Sequence, residues 1–237
     1  MKDTASLSVS RETILAATSR IVQLVVGFVG IIVFARHLSP AKLGSYYLII
    51  SAAHIGSQLL DGVSKAIKKR ISESGVQPPE YFGLGLLVFV LYVGGASLVG
   101  LGVLWSGIVR VPPKYVAGSI AVAVTLGLSV LVNDIYAGLG YPGLSMWAST
   151  TRTLLRVALQ ILLLLSGFDI VGLFAGFSIA NVVLAAVVVA IIRIRPQIPT
   201  QGTVERTVSF ARWSILNTLF QRFYSRVDIL IIGALVG

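Results

Sequence analysis

The sequence predicts an all-α fold, a polytopic bundle of transmembrane helices, and three observations carry that prediction. Only 12% of the 237 residues are charged and 56% are hydrophobic, where soluble domains carry about 25% charged residues. Mean hydropathy is +0.91. Seven apolar runs can be marked, near 13–35, 44–66, 82–109, 115–138, 144–166, 170–192 and 208–236. Each is long enough for a helix to cross a hydrocarbon layer about 30 Å thick.

The first run, Thr13–Ala35, holds one arginine at mid-depth, Arg20, and stops at Arg36-His37-Leu38-Ser39-Pro40. An arginine inside hydrocarbon costs on the order of 3 kcal/mol or more, so this position needs a compensating partner. The run is too long for a signal-peptide core and lacks a small-x-small cleavage site, which makes it a mature span. Pro78-Pro79 precede the third run, and Pro112-Pro113 divide the third from the fourth. Gly140-Tyr141-Pro142-Gly143 makes a turn before the fifth, and Gly167-Phe168-Asp169 separates the fifth from the sixth. A polar stretch, Arg195–Arg206 with Pro196, Pro199 and Gly202, leads into the seventh. Connections this short make consecutive spans antiparallel.

Basic residues orient the bundle. One side collects nine of them, Lys2, Arg11, Lys65, Lys68, Lys69, Arg70, Arg193, Arg195 and Arg206; the other collects four, Arg36, Lys42, Arg110 and Lys114. The amino terminus is therefore expected in the cytoplasm, with the Lys65–Arg70 cluster facing anionic headgroups of membrane lipids. This topology accounts for the net charge of +10. With no RNA-type aromatic motif, nucleic acid is not an expected partner. The absence of cysteine excludes disulfides and thiolate metal sites.

Helical spacing gathers the scattered polar residues into stripes. The first span aligns Thr13, Ala16, Arg20, Gln23, Gly27 and Gly30; the second aligns Tyr47, Ser51, His54, Gln58, Asp61, Lys65 and Lys68. The fourth aligns Thr125, Ser129, Asn133, Tyr136 and Gly140, and the fifth Ser145, Ser149, Arg152, Arg156 and Gln160. The seventh aligns Ser214, Asn217, Gln221, Ser225 and Asp228, with Arg222 and Arg226 beside them. Such faces cannot meet lipid, so they are expected to look inward on a hydrated cavity. Interhelical hydrogen bonding, at about 0.6 kcal/mol per contact, is the simpler account for single Ser, Thr or Asn residues.

It accounts poorly for Arg152 and Arg156, about 12 and 18 Å into their helix at 1.5 Å per residue and one turn apart on one face. The candidate acids inside the spans are Asp61, Asp134 and Asp228, against Arg20, Arg152, Arg156, Arg222 and Arg226. A surplus of buried guanidinium suits an anion such as a diphosphate, which the planar fork grips with paired, charge-assisted hydrogen bonds. His54 is the one group inside a span that titrates near neutrality; proton coupling there competes with a buried, hydrogen-bonded structural role. Gly172-x-x-x-Gly176 and Gly233-x-x-x-Gly237 fit a close-packing motif. No zinc spacing, triad or phosphate-cradling loop is present, and an enzyme is not expected.

Three stretches carry a family resemblance. They are Phe34-Ala35-Arg36-His37-Leu38-Ser39-Pro40 leading to Gly44-Ser45-Tyr46-Tyr47, Asp61-Gly62 with Lys65–Arg70 and Ile71-Ser72-Glu73, and Arg226-Val227-Asp228-Ile229-Leu230-Ile231-Ile232-Gly233. In order and spacing they resemble the amino-terminal half of the polysaccharide-biosynthesis flippases, within the multidrug/oligosaccharidyl-lipid/polysaccharide exporter superfamily. The resemblance implies two six-helix lobes rocking about a central cavity, of which this sequence would hold one six-helix lobe plus the first helix of the second. Residues 1–193 would form the first lobe, 194–207 a cytoplasmic inter-lobe linker and 208–237 the opening span of a truncated second lobe. It implies a plasma-membrane protein that flips a polyprenyl-diphosphate-linked oligosaccharide to the outer leaflet for cell-surface polysaccharide or glycan synthesis. A polysaccharide polymerase and glycosyltransferases are the candidate protein partners.

In that frame Arg20, Arg152, Arg156 and Arg222 would face the anionic headgroup. Gln23, Asn133, Gln160, Asn217 and Gln221 would contact sugar hydroxyls or water. Asp61 and Asp228 would pair arginines, with His54 a coupling candidate. No cofactor is expected, and a coupling ion, Na+ or H+, stays open. The alternatives are an ion-coupled multidrug or small-solute exporter of the same superfamily and a non-transporting scaffold of a glycan-assembly complex.

Overall fold

A computed structural model describes residues 3–73, 75–106 and 112–224, which are helical almost throughout. The helices are α1 (Asp3–His37), α2 (Pro40–Gly56), α3 (Gln58–Ile71), α4 (Pro78–Ser106), α5 (Pro113–Gly138), α6 (Pro142–Leu163), α7 (Asp169–Ile192) and α8 (Gln201–Tyr224). The prolines that punctuate the sequence open α2, α4, α5 and α6. A first-turn proline lacks an N–H that would have no intrahelical acceptor, and its fixed φ already suits the helix. Ser39 caps α2, its Oγ accepting from the Lys42 N–H at 3.4 Å.

The second run is not one helix. It breaks at Gly56-Ser57 and resumes as α3, which continues to Ile71. The Ser57 hydroxyl donates to the His54 carbonyl at 2.9 Å and the Gln58 amide to the same oxygen at 2.8 Å. These side chains satisfy a carbonyl that the break frees inside an apolar layer. The fifth and sixth runs meet through a wide π turn, Leu164–Phe168, in which Gly167 takes φ +87°. Only glycine adopts that conformation without strain. Lys42 Nζ pairs with Asp169 Oδ2 at 2.6 Å, tying the start of α2 to this turn.

α5 is the centre of the bundle and packs against α2, α3, α4, α6 and α7; α1 lies on α6, and α8 on α3. Towards the α6–α7 turn the core is Phe34, Tyr46, Ile170, Leu173, Phe174 and Phe177. Towards the Lys65–Arg70 end it is Ile67, Ile71, Tyr81, Phe82, Leu131 and Ile135. Gly176 sets the α6–α7 distance, since a Cβ there would lie 2.7 Å from the backbone nitrogen of Gln160. The small-residue spacing at Gly172 and Gly176 is thus a helix contact; Gly233 and Gly237 lie outside the described residues.

The outer surface is apolar, with Leu24 and Phe28 on α1, Leu91, Leu98 and Trp105 on α4, and Val183 and Ile191 on α7 all exposed. Four described stretches are long and apolar enough to cross a membrane: Ala17–His37, Pro78–Ser106, Pro113–Gly138 and Ser145–Ile192, the last covering both α6 and α7. The α2–α3 pair falls short of that measure because the break divides it, and the apolar tail of the seventh run lies outside the described residues. The chain is a multi-pass, all-α membrane bundle.

At the Lys65–Arg70 end, the segment between α7 and α8 docks on α4. Gln197 N–H donates to the Pro79 carbonyl at 3.0 Å. Glu80 Oε2 accepts from the Thr200 and Thr203 hydroxyls at 2.8 and 2.6 Å and from the Thr200 N–H at 3.3 Å. With Thr200 so held, α8 starts at Gln201, so residues 201–207 of the expected linker are helical.

Candidate functional site

Several polar side chains bond across neighbouring helices. Ser19 on α1 and Thr150 on α6 share a buried hydroxyl–hydroxyl hydrogen bond of 2.5 Å. Gln23 Nε2 donates to Thr150 Oγ1 at 2.9 Å and to Ser19 Oγ at 3.2 Å. Ser129 on α5 donates to Asn181 Oδ1 on α7 at 2.7 Å. Gln160 is 1% exposed, and its amide donates to the Tyr46 hydroxyl at 2.7 Å and to the Leu173 carbonyl at 2.9 Å. At these four places the inward-facing polar groups meet a neighbouring helix. Facing polar groups on neighbouring helices satisfy each other, which holds the helices together instead of holding water. Gln160, expected to meet a sugar, is committed to the core.

Arg152 and Arg156 differ. They lie on one face of α6, one turn apart, both half-buried. Arg152 Nη2 donates to Ser149 Oγ at 3.1 Å, and the side chain borders a cleft of about 10 Å³ with Ser129, Asn133, Ala185 and Val188. That is room for about one water molecule. The Arg156 guanidinium sits over the Phe177 ring at 5.2 Å, with Tyr46 and Tyr47 of α2 as electrostatic neighbours. The ring face stabilises the cation but accepts none of its in-plane N–H groups.

No acid neutralises this pair among the described residues. Asp61 pairs with Lys65 at 2.9 Å and Asp134 with Lys68 at 3.5 Å, while Asp169 pairs with Lys42 at 2.6 Å. Asp61, expected to pair an arginine, has Lys65 one turn along the same helix as its partner in this structure. Two cations one turn apart repel each other, and a half-buried position screens that repulsion less than open water does. An anion presented to this face would offset the repulsion and meet guanidinium donors that no carboxylate among the described residues occupies.

Of the remaining expected site residues that the structure describes, Asn133 borders this pair and the others lie elsewhere. Arg20 is exposed on α1, beside the Ser19–Thr150 contact and without an ion pair among the described residues. Asn133 is half-buried next to Arg152. Asn217 is exposed on α8. Gln221 and Arg222 belong to α8 with side chains outside the described residues, and Asp228 lies outside them altogether. His54 is half-buried in the last turn of α2, where its carbonyl anchors the helix break. Tyr46 and Phe177 were missed by the sequence reading; an aromatic pair in the Tyr46-Tyr47 corner was the one available signal.

The chain matches the family profile described as polysaccharide biosynthesis protein over residues 9–237. It is 26% identical over 215 residues to the "Probable low-salt glycan biosynthesis flippase Agl15" of Haloferax volcanii, covering 87% of this chain and 44% of that protein. Among solved structures, a MATE transporter in complex with MaD3S superposes with a TM-score of 0.68 at 17% identity, over 95% of this chain and 56% of the other. An outward-facing multidrug resistance MATE transporter of the MOP superfamily gives 0.66 at 18% identity, over 89% and 52%. A Pyrococcus furiosus MOP superfamily transporter, described as having a binding pocket of reverse polarity, gives 0.63 at 16%, over 88% and 52%. At these identities the structural likeness establishes the fold alone, and the chain spans about half the length of the proteins it resembles. On the match that runs from residue 9 to residue 237, this chain belongs to the polysaccharide biosynthesis protein family.

Proposed function

We propose that this chain serves a membrane transporter that flips an anionic, lipid-linked saccharide between leaflets, and that Arg152 and Arg156 hold the charged headgroup. The observation that carries this reading is the cationic pair itself: two half-buried guanidinium groups on one helix face without a carboxylate partner among the described residues. The flippase relative supports the cargo class. In the proposed cycle the diphosphate exchanges water for the Arg152 and Arg156 donors, with Asn133 beside Arg152 able to meet a neighbouring hydroxyl. Arg20, Arg222 and Asn217 would join from other helices in another state of alternating access. The distribution of basic residues supports an amino terminus in the cytoplasm, and on this reading a polymerase and glycosyltransferases would act on the cargo before and after it.

The alternative is a multidrug exporter, which the MATE structures share as a fold. A carrier of cations needs surplus carboxylate where this face has surplus guanidinium. The test is flux in proteoliposomes of a fluorescent lipid-diphosphate saccharide and, separately, of a cationic dye, with Arg152→Gln and Arg156→Gln. Loss of saccharide flux in the variants supports the proposal; dye flux that survives alongside unchanged saccharide flux removes it.

A further inference from the structure

An arginine inside a membrane bundle is ordinarily held by a carboxylate, which cancels its charge and takes two of its N–H groups. Arg156 has no such partner among the described residues. Its guanidinium lies instead 5.2 Å from the centroid of the Phe177 ring, within cation–π range. None of its N–H groups donates to an acceptor among the described residues, and none of its nitrogens is sealed inside the protein. Arg152 differs, since its Nη2 already donates to Ser149 Oγ at 3.1 Å.

The fold sets the ring under that arginine. Gly176 lets α7 close on α6 at Gln160, one turn beyond Arg156, and the next residue on α7 is Phe177. The ring is 2% exposed. Its turn of α7 is fixed by Asn181, whose Nδ2 donates to the Phe177 carbonyl at 2.8 Å while its Oδ1 accepts from Ser129 of α5 at 2.7 Å. A buried ring on a fixed backbone is a rigid seat for a side chain that otherwise samples many rotamers. A carboxylate would occupy the edge of the guanidinium fork. A ring takes only the face, and leaves both the charge and the in-plane donors to a ligand.

We propose that Phe177 is a positioning residue for the anion site, holding the Arg156 guanidinium by its face so that its edge is presented to a phosphate-type headgroup. Arg156 is then the leading donor and Arg152 the second. The inference rests on the reading of Arg152 and Arg156 as the headgroup site, and adds what keeps that site ordered without a counter-charge.

Phe177→Leu removes the seat, and Phe174→Leu is its control. Phe174 lies one turn earlier on α7 and is also buried, at 4% exposure. Its ring packs on Tyr46 at 5.8 Å between centroids and over Gly118 of α5, and no cation among the described residues lies over it. Both changes therefore remove core packing, and only one removes the ring beneath Arg156. The probe is inorganic pyrophosphate, titrated into the reconstituted protein. Phe177→Leu should weaken binding about three- to tenfold, the cost of ordering one rotamer-rich side chain on binding, while Phe174→Leu stays within about twofold of wild type. Phe177→Tyr, which keeps the ring face, should recover most of the loss. In an Arg156→Gln background, Phe177→Leu should have no further effect. A second measurement needs no ligand: with isotopically labelled arginine, the Arg156 Nε–H resonance should carry a ring-current shift that vanishes in Phe177→Leu and persists in Phe174→Leu. Equal binding losses in the two leucine variants, no recovery in Phe177→Tyr, a further loss in the Arg156→Gln background, or an Arg156 resonance indifferent to Phe177 would each overturn the inference. Pyrophosphate binding unchanged in Arg152→Gln/Arg156→Gln would remove the headgroup reading and this inference with it. Binding that depends on Arg156 and not on Phe177 would remove this inference alone.

Discussion

Gln160 lies one turn beyond Arg156 on the same face of α6, and its assigned role is structural, so Gln160→Leu should separate stability from binding. The change keeps the approximate volume and removes two donors, those to the Tyr46 hydroxyl and the Leu173 carbonyl, at 2.7 and 2.9 Å. Interhelical hydrogen bonds in membrane bundles average about 0.6 kcal/mol each, which sets a floor near 1.2 kcal/mol. Leaving buried acceptors unpaired raises the cost towards about 3 kcal/mol. Tyr46→Phe removes one of the same contacts, so the two changes overlap. The double variant should be less destabilised than the sum of the singles by about 0.5–1 kcal/mol. The assay is reversible denaturation in mixed micelles for the four members of the cycle. Binding of a soluble diphosphate, measured in parallel on folded protein, should not move in Gln160→Leu. Additivity within about 0.3 kcal/mol, or a binding loss without a stability loss, would refute the assignment and return Gln160 to the cargo site.

Two further outcomes follow from contacts elsewhere in the bundle. Gly176→Leu places a Cβ 2.7 Å from the Gln160 backbone nitrogen and must push α6 and α7 apart; thermal unfolding should show a loss of about 1–3 kcal/mol or more, whereas Gly94→Ala on α4 should be close to neutral. Glu80→Ala removes the acceptor shared by Thr200 and Thr203; amide exchange at Thr203 and Val204 should accelerate, and Glu80→Gln, which keeps an acceptor oxygen, should recover part of the protection.

Much of the fold was legible because hydropathy reports each helix directly. The spans at 115–138 and 170–192 fall on α5 and α7 within a few residues, and the prolines marked the first turns of four helices. The α2–α3 break was not legible, since Gly56-Ser57 inside an apolar run is an ordinary pair until Gln58 and Ser57 are seen bonding the freed carbonyl. The early start of α8 depends on Glu80, 120 residues before Thr200 in sequence, and no local pattern reports it. The candidate site divides in the same way. Helical spacing put Arg152 and Arg156 on one face. It could not show that Gln160, at the end of that stripe, meets a tyrosine from α2. The Asp61–Lys65 pairing is legible at its four-residue spacing.

The most direct test is the affinity of the reconstituted protein for a soluble diphosphate sugar, titrated against wild type, Arg152→Gln, Arg156→Gln and the double variant. Hydrogen bonds to charged groups contribute about 1.5–3 kcal/mol. Each single change should therefore weaken binding by about tenfold or more, and binding by the wild type should fall with rising salt. Equal affinity in wild type and double variant would contradict the assignment of the cationic pair to the headgroup.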